Sequence, residues 1–205
     1  ITLFLLSCGV AEVLFYLLSV GFDYDLPLLA IQLLWINVVT DGLQDMALSF
    51  EIASCDIMNE PPRSTKESLF NKDLMLEVAI FGATIAIMVF STWKFLMDRN
   101  VDMLMARSIV MMLMVFIQNI HVLNCRSEKN SVFTTSLLTN KFVIITIIGS
   151  IILQFIVTET PFIAKLLSIT TLPLPYVFII FAIALIIIIV AEIYKAIYRK
   201  VKEVH

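Results

Sequence analysis

Charge is what this sequence has least of. Only 15% of its 205 residues are Asp, Glu, Lys or Arg, whereas 60% are apolar. A soluble domain is nearer a quarter charged and half apolar. Disorder needs the opposite balance, low hydrophobicity with high charge, and is excluded. A mean hydropathy of +0.97 argues equally against a single water-soluble core. There is no basic excess either: a net charge of -3 and a pI of about 5.4 give no reason to expect nucleic acid as a partner. Cysteine is sparse, and Cys8, Cys55 and Cys125 form no CxxC pair. Neither a disulfide framework nor a thiolate metal site is supported. No basic segment precedes the apolar run that begins at Ile1, which argues against a signal peptide. The chain therefore reads as a piece of a longer polypeptide whose N-terminal part lies upstream. Walker motifs, nucleophile elbows and HExxH are all missing, so the chain offers no catalytic and no cofactor-binding residues of its own.

What is present is a series of long apolar runs. A membrane helix needs roughly 20 mostly apolar residues. Six segments qualify, at about 1–20, 27–50, 74–97, 104–123, 142–158 and 175–194. The expected fold is all-α, a polytopic membrane helix bundle with six transmembrane helices and a lipid bilayer around it. Residues 1–205 form one membrane domain, without internal repeats. The connections after the second and fourth segments and the C-terminal tail hold ten Lys or Arg. These are Arg63, Lys66, Lys72, Arg126, Lys129, Lys141, Lys195, Arg199, Lys200 and Lys202. The other side holds four, Lys94, Arg99, Arg107 and Lys165. The asymmetry predicts that both ends of the chain are cytoplasmic.

Polar groups inside these runs need a physical reason, because an acidic side chain at a helix centre costs about 2.5–3.5 kcal/mol on insertion scales. Glu12 sits in the middle of the first segment. Asn37, Thr40 and Asp41 sit in the middle of the second, at i, i+3 and i+4, and so share a helix face. Gly42 and the preceding VVT run weaken the helix there. Irregular backbone at that depth is tolerated only where it lines a cavity. Carboxylates, an amide, a hydroxyl and free carbonyls form an oxygen-rich set that suits a hard cation such as Ca²⁺. Interhelical hydrogen bonding alone is the plainer explanation, and a proton relay through protonated carboxyls is another. Gln118 and His121 share a face of the fourth segment, with Asn119 beside them. Gln118 is either a further ligand or an interhelical bridge, and His121 reads as structural. Asp45, one turn beyond Asp41, either lines an approach to the site or solvates the helix end. Glu51, Glu77 and Glu192 are expected at solvated interfaces. Met111, Met112 and Met114 are expected to face lipid or fill packing gaps, Trp35 and Cys8 to pack, and Trp93 to anchor an interface.

The second segment, IQLLWINVVTDGLQDMALSFE, resembles the sixth membrane helix of P-type cation-transporting ATPases, especially the calcium-pump-like group. SCGVAEV resembles the end of their fifth helix. IMNEPPRSTKESLF resembles the loop between helices six and seven, NCRSEKNSVF the loop after helix eight, and AEIYKAIYRK the end of helix ten. NVVTDG followed by PPRSTKE is the most specific part, and the resemblance extends over essentially the whole chain. It implies an ATP-driven cation pump in which Glu12, Asn37, Thr40, Asp41 and Gln118 are metal ligands. The transported ion is then Ca²⁺, with Mn²⁺ or Na⁺ next. Gln118 matches a helix-eight position that is acidic in the calcium pump of muscle reticulum and Gln in the sodium pump. Gly9 stands where that calcium pump has an Asn ligand, and Gln44 and Asp45 replace a Pro-Ala pair. With Gly9 and Gln118, one of two possible cation sites is depleted, so one divalent cation per cycle is expected. Mg²⁺ and ATP would act only in upstream domains of the same polypeptide, together with the first four helices. A bacterial plasma membrane is the expected location.

Two other classes remain open at this point. A small ATP-independent carrier or channel would use the same carboxylates, although inverted repeats would be expected of it. A structural membrane subunit would need a stable partner and would tolerate loss of Asp41.

Overall fold

The computed structural model describes residues 1–51, 71–126, 131–133 and 139–203, and shows no strand among them. The helices are α1 (Thr2–Gly21), α2 (Ala30–Ile36), α3 (Leu43–Leu48), α4 (Lys72–Asp98), α5 (Met103–Cys125), α6 (Lys141–Glu159), α7 (Pro161–Leu166), α8 (Leu174–Ala184) and α9 (Ile186–Glu203). A π-helical turn, Asn37–Gly42, joins α2 to α3. The PPRSTKE motif with its Arg63 and Lys66, and Cys55, lie outside the described residues, as do positions 127–130 of NCRSEKNSVF.

Five stretches are long and apolar enough to cross a membrane: Thr2–Gly21, Lys72–Asp98, Met103–Cys125, Lys141–Glu159 and Leu174–Lys200. Each lies within a few residues of an expected segment, except that the last helix runs on through the tail. The expected second segment is helical over residues 30–48, but the π-turn divides it into three short pieces.

Side-chain caps set several helix starts. Asn71 Oδ1 accepts from Leu74 N at 2.7 Å, and Asp102 Oδ2 accepts from Leu104 N at 3.0 Å. Three helices end in the same way, with a left-handed residue after the last turn: Asp23, Asn100 and Ser168 have φ of 56°, 52° and 51°. The next residue then donates back five positions, as Tyr24 N does to Ser19 O at 2.9 Å.

Helix α5 is the axis of the bundle. Every residue from 108 to 122 is buried, and α5 packs on α1, α2, α3, the π-turn, α4, α6, α8 and α9. A helix buried all round places its polar residues inside the bundle. Met111, Met112 and Met114 therefore fill the core and do not face lipid. Trp93 also departs from expectation. It is completely buried on α4, because that face meets the bundle. Glu77, expected at a solvated interface, is instead buried at 7% exposure, and Lys195 of the tail is buried as well. Lys195 Nζ donates to Asn124 O at 2.9 Å, near the end of α5. The outer faces of α6 and α8 carry exposed Ile145, Ile148, Phe178 and Ile179, as lipid-facing helices do.

The connections sort to the two ends of the bundle. At one end Lys94 Nζ donates to Tyr24 Oη at 2.8 Å, and Arg107 donates to Leu26 O at 3.1 Å. There too Gln32 Nε2 donates to Leu167 O at 2.7 Å. At the other end Arg126, Glu51 and Asn140 meet.

Candidate cation site

The site is built where α1, the π-turn and α5 meet at mid-length. An α-helix spends every carbonyl on the residue four ahead, whereas a π-turn widens to five and disturbs that ladder. The NVVTDG sequence favours the change, because β-branched Val38, Val39 and Thr40 and then Gly42 are poor helix formers. The weakness expected at Gly42 is thus expressed as a widened turn and not as an unwound strand.

The turn directs Val39, Thr40 and Asp41 into the bundle. Thr40 is fully buried, and its hydroxyl donates to Ile36 O at 2.7 Å. The same oxygen also contacts Gln118 Oε1. Gln118, 1% exposed, reaches onward from α5, and its Nε2 donates to Glu12 Oε1 at 3.3 Å. Glu12 is buried on α1 at 9% exposure. Three helical elements are thereby joined through Thr40, Gln118 and Glu12. Asp41 stands beside this chain at 8% exposure, and its Oδ1 is shielded from solvent without a hydrogen-bond partner. A buried carboxylate oxygen left unpaired is costly, and it marks a place where another group belongs.

Of the five residues expected to bind metal, Glu12, Thr40, Asp41 and Gln118 are thus brought to one buried region. Asn37 is placed differently. It opens the π-turn but is exposed. Glu12 also lines a cavity of about 490 Å³ between α1 and α2, whose other walls are mostly apolar, among them Val13, Leu17 and Leu33. Among the described residues, no three His, Cys, Asp or Glu side chains converge as a ready-made metal cage. The oxygens on offer here are two carboxylates, a hydroxyl and an amide, which suit a hard cation and not a soft one.

A second polar cluster lies one step away and was not anticipated as a unit. Gln44 Nε2 donates to Asn119 Oδ1 at 2.6 Å, and Ser150 Oγ donates to the same oxygen at 2.7 Å. Thr146 Oγ1 donates to Gln44 Oε1 at 2.8 Å. Gln44 follows Asp41 by three residues and Asn119 adjoins Gln118, so this hub fixes the backbone on both sides of the site. Its only signal in the sequence was amides in otherwise apolar runs. His121, further along α5, lies in the packed interior: its Nε2 is 2.8 Å from Ser7 Oγ, and its ring packs on Phe4 and Phe81.

The family described as cation transporting ATPase, C-terminus, matches residues 25–197. The chain belongs to that family. Similar proteins include a calcium-transporting ATPase of Bacillus subtilis strain 168, 36% identical over 77% of this chain and 18% of its own length. Calcium-transporting ATPase 1 of Bacillus cereus is 28% identical over 94% of this chain and 23% of its own length. The human calcium-transporting ATPase type 2C member 1 is 29% identical over 96% of this chain and 21% of its own length. The chain spans about a fifth of the length of these curated relatives. As a member of the cation-transporting ATPase C-terminal family with long apolar helices, it is an integral multi-pass membrane protein.

Proposed function

We propose that this chain is the C-terminal membrane part of an ATP-driven Ca²⁺ pump and supplies most of the oxygens that hold the ion in transit. One observation carries the reading: Glu12, Thr40, Asp41 and Gln118 gather at a π-turn deep in the bundle, with Asp41 Oδ1 unpaired. Intramembrane carboxylates that face a bundle interior are characteristic of ion pathways. The similarity to calcium-transporting ATPases gives Ca²⁺ preference over Mn²⁺ and Na⁺.

In this reading Glu12 and Asp41 carry the charge that offsets the ion. Thr40 and Gln118 supply neutral oxygens and hold the two helices at a fixed separation. Asn37, at the mouth of the π-turn, closes over the ion from the exposed side together with helices upstream in the same polypeptide. ATP and Mg²⁺ act in those upstream parts. A single divalent ion is carried per cycle, and both ends of this segment lie in the cytoplasm of a bacterial cell.

The test is Asp41→Asn in the full pump. The expected outcome is loss of cation-dependent phosphorylation by ATP. Normal phosphoenzyme formation at ordinary cation concentrations would remove Asp41 from the site. Competition of Mn²⁺ and Na⁺ against ⁴⁵Ca²⁺ in the wild-type pump then ranks the cargo.

A further inference from the structure

Resting on the pump reading, we infer that Asp45 and Asp41 together form an entry station for a divalent cation, one turn from the main site toward the Glu51 end of α3. Asp41 lies in the π-turn and Asp45 in α3, four residues and about one turn further along. Asp41 is more than nine-tenths buried, and its Oδ1 has no partner. Asp45 Oδ1 is likewise shielded from solvent and unpartnered, although Asp45 as a whole is only half-buried. Among the described residues neither carboxylate is paired with a Lys, Arg or His.

Two shielded carboxylate oxygens one turn apart, neither paired with Lys, Arg or His, are unfavourable by desolvation and by mutual repulsion. A divalent cation between them relieves both. The difference in exposure gives the station a direction. Asp45 reaches toward the surface and can take an ion that still holds part of its water shell. Asp41 is enclosed and shares the ion with Glu12, Thr40 and Gln118. Calcium suits such a handover, because it accepts waters and carboxylates in variable number and geometry. The nearby Gln44 keeps this turn of α3 in place through Asn119, so the two carboxylates are held at a fixed spacing.

The experiment uses the full pump in native membranes and follows ⁴⁵Ca²⁺ binding by rapid filtration. Wild type is compared with Asp45→Asn, Asp45→Glu and Asp41→Asn. Asp45→Asn is expected to slow Ca²⁺ association and raise the half-saturating concentration about tenfold, because affinity for Ca²⁺ follows the charge of the ligand set. Phosphoenzyme formation should follow the shifted Ca²⁺ dependence, and Asp45→Glu should restore the association rate. Added salt should slow association in wild type but much less in Asp45→Asn, which a purely structural role would not produce. Wild-type association and half-saturation in Asp45→Asn, with phosphorylation lost in Asp41→Asn, would overturn the entry station and leave the pump reading intact. Normal phosphorylation in Asp41→Asn would overturn both. Should Asp45→Asn fail to show a thermal unfolding transition in detergent, Asp45→Glu and Asp45→Ser decide the question by the same rates.

Discussion

Arg126 grips Glu51 with two hydrogen bonds, Nε to Oε2 at 2.9 Å and Nη2 to Oε1 at 2.8 Å, and so ties the end of α5 to the end of α3. Asn140, which caps α6 through its Oδ1, donates Nδ2 to Glu51 Oε2 at 2.9 Å. Helices α3, α5 and α6 are thus fastened at one end by a single carboxylate. Burial pushes the Glu51 carboxyl up, but its hydrogen bonds to Arg126 and Asn140 outweigh that and hold it below the ordinary 4.5. A carboxylate with a depressed folded pKa contributes stability that is present above its unfolded value and lost as pH falls through the folded one. Glu51→Gln is therefore expected to lower stability at pH 7 by about 1.5–3 kcal/mol, the range for hydrogen bonds to charged groups. The gap between wild type and variant should narrow only below the ordinary carboxylate range. Thermal unfolding of both proteins in detergent, from neutral pH downward, checks this. A gap that stays constant down to the folded pKa and below would show that Glu51 acts by shape and not by charge.

Helix α4 packs tightly against α1 at Gly82. A Cβ there would meet Val10 Cγ1 at 2.8 Å and the Ser7 carbonyl oxygen at 3.2 Å. The valine can turn aside, but the backbone oxygen moves only if α1 moves. Gly82→Ala is expected to destabilise by about 1–3 kcal/mol, as overpacking does, despite the better helix propensity of Ala. Gly149, whose added Cβ meets nothing, serves as the control, and Gly149→Ala should be neutral or stabilising. Equal unfolding temperatures for Gly82→Ala and wild type would mean that α1 and α4 separate without cost.

Much of this architecture is legible in the apolar runs, because bilayer thickness sets their length. The ends of α4 and α5 fall within a few residues of expectation for that reason. The site was legible for a related reason: Glu12, Thr40, Asp41 and Gln118 are expensive where they stand, so their presence in apolar runs had to be explained. Which face of a helix meets which neighbour is tertiary information, and there the sequence misleads. Trp93 near a helix end reads as an interface anchor, yet α4 turns it into the core. Glu77 near a helix start reads as solvated, yet α4 carries it into the bundle. Glu51 and Arg126 are 75 positions apart, and no local pattern pairs them.

The hub of Gln44, Asn119, Thr146 and Ser150 differs from the site in being fully paired, and that sets the last expectation. Gln44 uses both ends of its amide, Nε2 toward Asn119 and Oε1 toward Thr146. Asn119 uses Oδ1 toward Gln44 and Ser150, and Nδ2 toward Val115 O at 2.8 Å. Thr146 and Ser150 have a second acceptor in their own helix, at Val143 O and Ile147 O, and survive loss of the amides. The direct Gln44–Asn119 bond has no such substitute. Interhelical side-chain bonds in membranes average about 0.6 kcal/mol and reach about 1.7. A double-mutant cycle with Gln44→Ala and Asn119→Ala is expected to give a coupling in the upper half of that range, because both partners are buried and the bond is short. On the proposed pump reading, the same variants in the full-length protein should weaken Ca²⁺ affinity while leaving the number of ions bound unchanged, since the hub holds the backbone beside Asp41 and Gln118 and is not among the proposed ligands. A changed ion count in Gln44→Ala would instead place Gln44 in the site itself.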